Sequence, residues 1–193
     1  MRSPRFWKAH RNKFNLISKI LEPISWIWII LTRIRFNRVK QKASVPTVCV
    51  GNINLGGVGK TPTVIAIAEK LKAMGHKPHI VSRGYGGKLK GPVLVSEKYN
   101  SEQVGDEPLL LSMVAPTWVS KDRMTGSRAA IENGCDVIIL DDGFQNGSLF
   151  KDLSIIVVDA KLGFGNEKVF PAGPLREPLV DAFERADLMI LIG

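Results

Sequence analysis

A chain of 193 residues that is 45% hydrophobic and 23% charged is ordinary globular material, long enough to bury the core of one α/β domain. Its two cysteines, Cys49 and Cys135, stand at or beside apolar runs without ligand-like spacing, and His10, His76 and His79 form no cluster with carboxylates. A disulfide framework and a Cys/His metal fold are therefore excluded. The net charge of +9 is concentrated, because residues 1–42 carry eleven basic residues against one acid, Glu22, while the remaining chain is near neutral.

That N-terminal arm is also strongly apolar. Phe14, Leu16, Ile17, Ile20, Leu21, Ile24, Trp26, Ile27, Trp28, Ile29, Ile30, Leu31 and Ile34 are interspersed with Lys19 and Glu22 and flanked by Arg33, Arg35, Arg38, Lys40 and Lys42. The uncharged run 23–31 is far short of the ~20 residues that cross a bilayer, and no small-residue cleavage site follows it. Tryptophans with flanking cations suit the headgroup zone of an anionic membrane, so the arm is expected to lie in the interface. A helix packed on the domain and a basic arm for nucleic acid are the alternatives. The apolar content argues against nucleic acid.

Next, Thr47-Val48-Cys49-Val50 reads as a short buried strand, and residues 63–74 carry helical periodicity up to Gly75. Between them stand Gly51-Asn52-Ile53-Asn54-Leu55-Gly56-Gly57-Val58-Gly59-Lys60-Thr61. Strand, glycine loop and helix in this order make a phosphate-binding loop. Backbone N–H groups and the helix N-terminus face the phosphates, Lys60 reaches the β- and γ-phosphates, and the Thr61 hydroxyl ligates Mg²⁺. Pro62 fits the first helical turn. Asn54 replaces a glycine usual in the pattern, at a position where positive φ is expected. A bare strand-to-helix turn would not call for Lys and Thr directly after the glycines.

Residues 79–82 read as a second strand opening into Arg83-Gly84-Tyr85-Gly86-Gly87, either a phosphate-holding loop led by a guanidinium or a glycine-rich turn. After a strand at 92–96, Val104-Gly105-Asp106-Glu107-Pro108 starts a helix running to about residue 114, with Asp106 at the N-cap position. Residues 117–120 are strand-like, and Asp122 caps a helix to about residue 132. The apolar run 137–140 then ends in Asp141-Asp142-Gly143. At the C-terminal end of a buried parallel strand, beside a phosphate loop, the first carboxylate approaches Mg²⁺. A strand merely emerging into solvent would leave two adjacent carboxylates repelling each other without purpose. With strands at 154–159 and 188–192, the alternation predicts a doubly wound, mostly parallel α/β sheet. The last run stops without a turn or helix, so further chain is expected after it.

Gly51-Asn52, Gly56-Gly57-Val58-Gly59-Lys60-Thr61-Pro62, Ser82-Arg83-Gly84-Tyr85, Gly105-Asp106-Glu107-Pro108, Asp141-Asp142-Gly143-Phe144-Gln145 and Pro171-Ala172-Gly173-Pro174-Leu175-Arg176-Glu177-Pro178 occur in an order that closely resembles the tetraacyldisaccharide 4′-kinase (lipid A 4′-kinase) family. The resemblance runs from the N-terminal helix to the end of the chain. It implies a P-loop NTPase-like kinase domain over residues 43–193 behind a membrane-interface arm at 1–42. It further implies transfer of the ATP γ-phosphate, with Mg²⁺, to the 4′-hydroxyl of a tetraacylated glucosamine disaccharide 1-phosphate, a lipid A precursor. The expected location is the cytoplasmic face of the bacterial inner membrane, with no nucleic-acid partner.

Carried onto these positions, the resemblance makes Asn54, Leu55, Gly56, Gly57, Val58, Gly59, Lys60 and Thr61 the nucleotide loop, with Arg83 and Arg176 balancing phosphate charge. Asp141 joins Thr61 and Glu177 around Mg²⁺, while Lys60, Asp142 and Asp106 are catalytic. Asp106 handles the acceptor hydroxyl proton, a role that outranks capping. Two departures stand out. Asn146 replaces a histidine usual after Gly143-Phe144-Gln145, and family members continue into a second lobe that closes over the nucleotide and supplies a histidine assisting the catalytic aspartate. A fragment, or a truncated product that binds nucleotide without efficient turnover, is therefore expected. The loop also resembles that of dimerising ATPase switches, but these carry a lysine just before the Gly-Gly pair, where Leu55 stands here.

Overall fold

The structure, a computed structural model, describes residues 4–8, 15–36, 41–57 and 59–193. His10, Phe14, Arg38, Lys40 and the loop residue Val58 lie outside the described residues, as does the side chain of Arg35. A 3₁₀ turn at Arg5–Lys8 and helix α1 (Leu16–Phe36) come first, followed by β1 (Thr47–Gly51), α2 (Lys60–Ala73), β2 (Pro78–Ser82) and β3 (Val93–Leu94). The middle of the chain forms α3 (Ser101–Val104), α4 (Asp106–Ser112), β4 (Thr117–Val119) and α5 (Arg123–Glu132). The remainder forms β5 (Val137–Asp141), β6 (Leu153–Asp159), α6 (Leu179–Phe183) and β7 (Leu188–Ile192).

The seven strands join in one sheet of order β3-β4-β2-β5-β1-β6-β7. All neighbours are parallel except the short β3–β4 edge. Because β5 and β1 are central and covered on both faces, every residue of β5 is buried, which explains its near-continuous apolar sequence. Val50, Val64, Ala68, Ile80, Leu111 and Ile139 form one core layer with α2 and α4; Cys49, Val81, Ile138, Leu140, Phe144 and Ile156 form the layer on the other face. Burial raises the Cys49 thiol to about 11, which makes it an inert core residue.

Register puts Val50 opposite Asp141, so the glycine loop after β1 and the carboxylates ending β5 emerge side by side. The approach is tight. A Cβ on Gly51 would lie 2.4 Å from the Cβ of Phe144, so only glycine lets the 143–145 turn close over the end of β1.

The helix expected from residues 104–108 onward is α4, and a separate short helix, α3, precedes it without having been expected; Gly105 at φ +93 stands between the two. Asn54 lacks the expected positive φ; that conformation falls to Gly56 and Gly59, and Asn54 instead forms a β-bridge with Leu175. The short α6 was not expected from periodicity.

Helix α1 docks in an inverted sense. Its inward stripe is polar: Ser18 and Ser25 hydroxyls donate to the Ala172 and Val169 carbonyls, both at 2.8 Å, and Glu22 pairs with Lys168 at 2.6 Å. Trp28 donates its indole N–H to the Arg176 carbonyl at 2.9 Å, and Arg33 pairs with Asp181 at 2.7 Å. Outward face Leu16, Ile17, Ile20, Ile24, Trp26, Ile27, Ile30, Leu31 and Ile34, all more than half exposed. The arm is thus both packed on the domain and apolar on its free side. Among the described residues no helix is long and apolar enough to cross a membrane. At the far edge, β7 leaves Leu188, Met189 and Leu191 at least half exposed, beside an apolar cleft of about 520 Å³ lined by Ile67, Leu71, Ile155, Ile190 and Ile192.

The inverted docking makes a prediction. Ser25→Val leaves the Val169 carbonyl and the Ala172 N–H without their partner, so the docked state should lose about 1–3 kcal/mol. Ile27→Ser, at 60% exposure, should change stability by less than about 0.5 kcal/mol. Thermal unfolding followed by tryptophan emission compares the two; an Ile27 effect exceeding that of Ser25 would reverse the assignment of faces.

Candidate active site

At the C-terminal edge of the central strands, where doubly wound sheets place their ligands, Gly59 at φ +83 ends the loop and N-caps α2. Lys60 begins that helix and is 9% exposed. Its ammonium donates to Asn52 Oδ1 and pairs with Asp142 Oδ1, both at 3.1 Å. Asn52 in turn donates from Nδ2 to the carbonyls of Asn54 and Gly56, which ties the loop to the end of β1. Asp142 holds a left-handed backbone at φ +48 and is reached from the other side by Arg176 Nη1 at 3.3 Å. Burial alone would raise its carboxyl, but Arg176 and Lys60 outweigh burial and hold it below the ordinary value.

Asp141 has the opposite environment. It is 1% exposed; Oδ2 accepts from the Ser82 hydroxyl at 2.9 Å, and Oδ1 has no hydrogen-bond partner. Its main-chain carbonyl accepts from Arg123 Nη2 at 2.7 Å. Burial pushes its carboxyl up to about 6, and the charge of Glu107 adds to the rise. That coupling puts the start of α4 within electrostatic reach of Asp141. The 83–87 loop is pinned to the α3–α4 junction: a Cβ on Gly87 would lie 2.7 Å from the Gln103 carbonyl oxygen, and one on Gly105 2.6 Å from that of Tyr85. Arg83 and Asp106, both exposed, therefore flank the same corner. Arg83, Lys121, Arg123, Asp142, Gln145, Asn146 and Arg176 line a cleft of about 140 Å³ there.

The structure thus brings Lys60, Asp141, Asp142, Arg83 and Arg176 together, with Thr61 in the first turn of α2 and Gly56 and Gly57 exposed at the loop tip. Four of the residues singled out in the sequence have partners within the protein or sit beside an expected position. Asn54 and Leu55 are loop anchors: the Asn54 amide donates to the Gly163 carbonyl at 2.7 Å, and the Leu55 N–H, spent on the Pro174 carbonyl at 2.7 Å, does not face a phosphate. Glu177 is 0% exposed, with Oε1 taken by Gln145 and Oε2 by Arg185, and lies beneath the cleft. Asp106 is not an N-cap, because Gly105 occupies that position and the Asp106 side chain caps nothing. Asn146 lines the cleft but turns its carbonyl oxygen onto the N–H groups of Ser148 and Leu149.

Asn52 and Gln145 stand in the sequence motifs without an assigned role, and Arg123 stands in none. Gln145 accepts from Arg176 at 3.0 Å and donates to the Asn52 carbonyl at 2.8 Å, linking the two motifs. Its place directly after Gly143-Phe144 was a usable signal. For Arg123, 3% exposed at the start of α5, only the tertiary contact reveals the role.

The raised carboxyl carries a stability consequence. The folded state binds the Asp141 proton more tightly than the unfolded chain, so its contribution to stability is present below the ordinary value of 3.8 and is lost as pH rises through about 6. At pH 8 the ionised, buried side chain costs about 3 kcal/mol, at ~1.4 kcal/mol per unit. Asp141→Asn should therefore raise the melting temperature at pH 8, and the gain should vanish near pH 4. A variant equally or less stable at pH 8 would contradict the assigned environment.

Known proteins resemble this chain over its whole length. The family described as Tetraacyldisaccharide-1-P 4′-kinase matches residues 17–193. Relatives named Tetraacyldisaccharide 4′-kinase include one from Dinoroseobacter shibae, 51% identical over all of this chain and 58% of its own length, and one from Parvibaculum lavamentivorans, 50% identical over all of this chain and 57% of its own. A crystal structure of LpxK from Aquifex aeolicus in complex with ATP superposes with a TM-score of 0.79 at 35% identity, covering 91% of this chain and 59% of that one. The chain spans somewhat over half the length of these relatives, and it belongs to the tetraacyldisaccharide-1-P 4′-kinase family.

Proposed function

We propose that residues 1–193 form the nucleotide-binding part of a kinase that transfers the ATP γ-phosphate to the 4′-hydroxyl of a tetraacyldisaccharide 1-phosphate. The observation that carries this reading is the Lys60–Asp142–Arg176 cluster set beside the unpartnered, buried oxygen of Asp141. The names of the relatives supply the acceptor, and the ATP bound to the Aquifex aeolicus relative supplies the donor.

Each residue has a distinct task. Lys60, held at 3.1 Å from Asp142, exchanges that carboxylate for phosphate oxygens when nucleotide enters the loop. Arg176 keeps Asp142 ionised and adds positive charge where the transferred group develops negative charge. Asp106, exposed at the start of α4 with no capping duty, accepts the acceptor hydroxyl proton. The Asp141 Oδ1 atom and the Thr61 hydroxyl suit a Mg²⁺ ion that keeps most of its ligands as water and phosphate oxygen. An ion held by these two groups would neutralise phosphate charge.

The outward face of α1 gives the protein a seat on the acceptor's own membrane. Its isoleucines and tryptophan enter the interface while the basic arm meets anionic headgroups, on the cytoplasmic side where ATP is found.

Residues 1–193 should bind Mg²⁺-ATP, and Lys60→Ala should remove most of that affinity; binding unaffected by the change would defeat the nucleotide assignment. Joined to the C-terminal part of the Dinoroseobacter shibae relative, the chain should phosphorylate the lipid acceptor. Asp106→Asn should cut kcat ~10²–10⁴-fold at unchanged melting temperature, and near-normal turnover would return Asp106 to a surface role. On vesicles, Ile20→Asp with Ile27→Asp should lower partition onto anionic lipid about 10-fold or more without loss of fold. Undiminished partition would place the contact elsewhere.

A further inference from the structure

Arg185, just after α6, belongs to none of the motifs that define the site, yet it stands at a junction. Its guanidinium lies 3.9 Å from the ring centre of Phe36 on α1 and 5.0 Å from that of Phe144, which follows the paired carboxylates. Between these two rings it pairs with Oε2 of the fully buried Glu177. We propose that Arg185 is a positioning residue that orders the phosphate-binding cations, acting through Glu177 and Gln145 on Arg176 and Lys60.

The argument rests on donor and acceptor counts. An ionised carboxylate only accepts, so Glu177 Oε1 obliges Gln145 to turn its NH₂ group toward it, at 3.1 Å. The amide is planar, so its oxygen then points the other way, where it accepts from Arg176 Nη1 at 3.0 Å. The same Nη1 contacts Asp142, and Asp142 pairs with Lys60. Arg176 Nε meanwhile donates to the Asn54 carbonyl at 3.2 Å, tying the guanidinium to the loop that Lys60 terminates. Arg185 supplies the charge that makes an ionised Glu177 tolerable at zero exposure. A buried carboxylate deprived of its cation must move, which leaves the Gln145 NH₂ group held by the Asn52 carbonyl alone, at 2.8 Å, and lowers the cost of an amide flip. A flipped amide turns its NH₂ group on Arg176, donor against donor, and Arg176 leaves Asp142. Because one face of the Arg185 guanidinium rests on Phe36, the end of α1 takes part in this ordering.

The proposal rests on the nucleotide reading above, and the experiment separates the two. Residues 1–193 are titrated with a fluorescent ATP analogue and Mg²⁺ below the melting temperature of every variant. Arg185→Ala should weaken binding about 10-fold, and Arg185→Lys, which keeps the charge but cannot stack as a plane, should recover part of the loss. Phe36→Leu should cause a smaller loss that disappears in the Arg185→Ala background. Arg185→Ala combined with Arg176→Ala should bind no more weakly than Arg176→Ala alone, because both act through one contact. A purely structural Arg185 would instead lower the melting temperature with unchanged affinity, or would give losses that multiply in the double variant; either result overturns the proposal. If the wild-type chain binds no nucleotide, or Lys60→Ala binds as well as wild type, the nucleotide reading falls and the role of Arg185 falls with it. That pattern is distinct from a wild type that binds and an Arg185→Ala variant that binds equally well.

Discussion

The ionised carboxylate of Asp142 between Lys60 and Arg176 is the contact on which the site depends. Two cations this close to each other repel, and at 9% exposure Lys60 has little water to screen it. The carboxylate resolves the repulsion and fixes where both cations lie. Its position requires the left-handed backbone at φ +48, which holds because Gly51 and Gly143 allow the turn to close onto β1. A pair of small residues in the sheet thus sets the electrostatics of the loop above it. The two adjacent aspartates, chemically identical, are driven apart by surroundings alone: one sits among cations, the other is buried with one hydroxyl donor and an oxygen left over.

The parts legible in the sequence were those whose signal is local. The β1–loop–α2 unit and the apolar strand ending in Asp141 declare themselves by composition, because a buried parallel strand must be apolar throughout and a phosphate loop needs glycine, lysine and hydroxyl at fixed offsets. What failed was decided by partners far away in the chain. Asp106 has the residue type of a cap, but Gly105 at φ +93 takes that place because only glycine fits against Tyr85. Asn54 has the residue type of a positive-φ turn, but the 174–176 segment holds it extended. Arg176 and Glu177 are neighbours in sequence, yet one lines the cleft and the other is buried against Gln145 and Arg185. Nor does periodicity tell which face of α1 meets the protein.

That last point joins the arm to the chemistry. The segment 168–176 receives α1 on one side, through Lys168, Val169, Ala172 and the Arg176 carbonyl, and presents the Arg176 guanidinium to the cleft on the other. Among the described residues, the one aromatic contact between α1 and this segment, Trp28 edge-on to Phe170 at 5.2 Å, leaves the outward isoleucines untouched. By docking through serine hydroxyls, an indole N–H and ion pairs, the helix spends its polar groups inward, where the backbone carbonyls of an irregular segment need donors. The apolar side chains are left free.

The sheet edge at β7 has a consequence of another kind. Leu188-Met189-Ile190-Leu191-Ile192 carries no charge, no proline and no bulge, its side chains are largely uncovered, and its outer row of backbone N–H and C=O groups lies beside an apolar cleft. An uncharged apolar edge of this kind pairs readily with another strand. A strand added there would complete the ladder of backbone hydrogen bonds and cover Leu188, Met189 and Leu191 in one step.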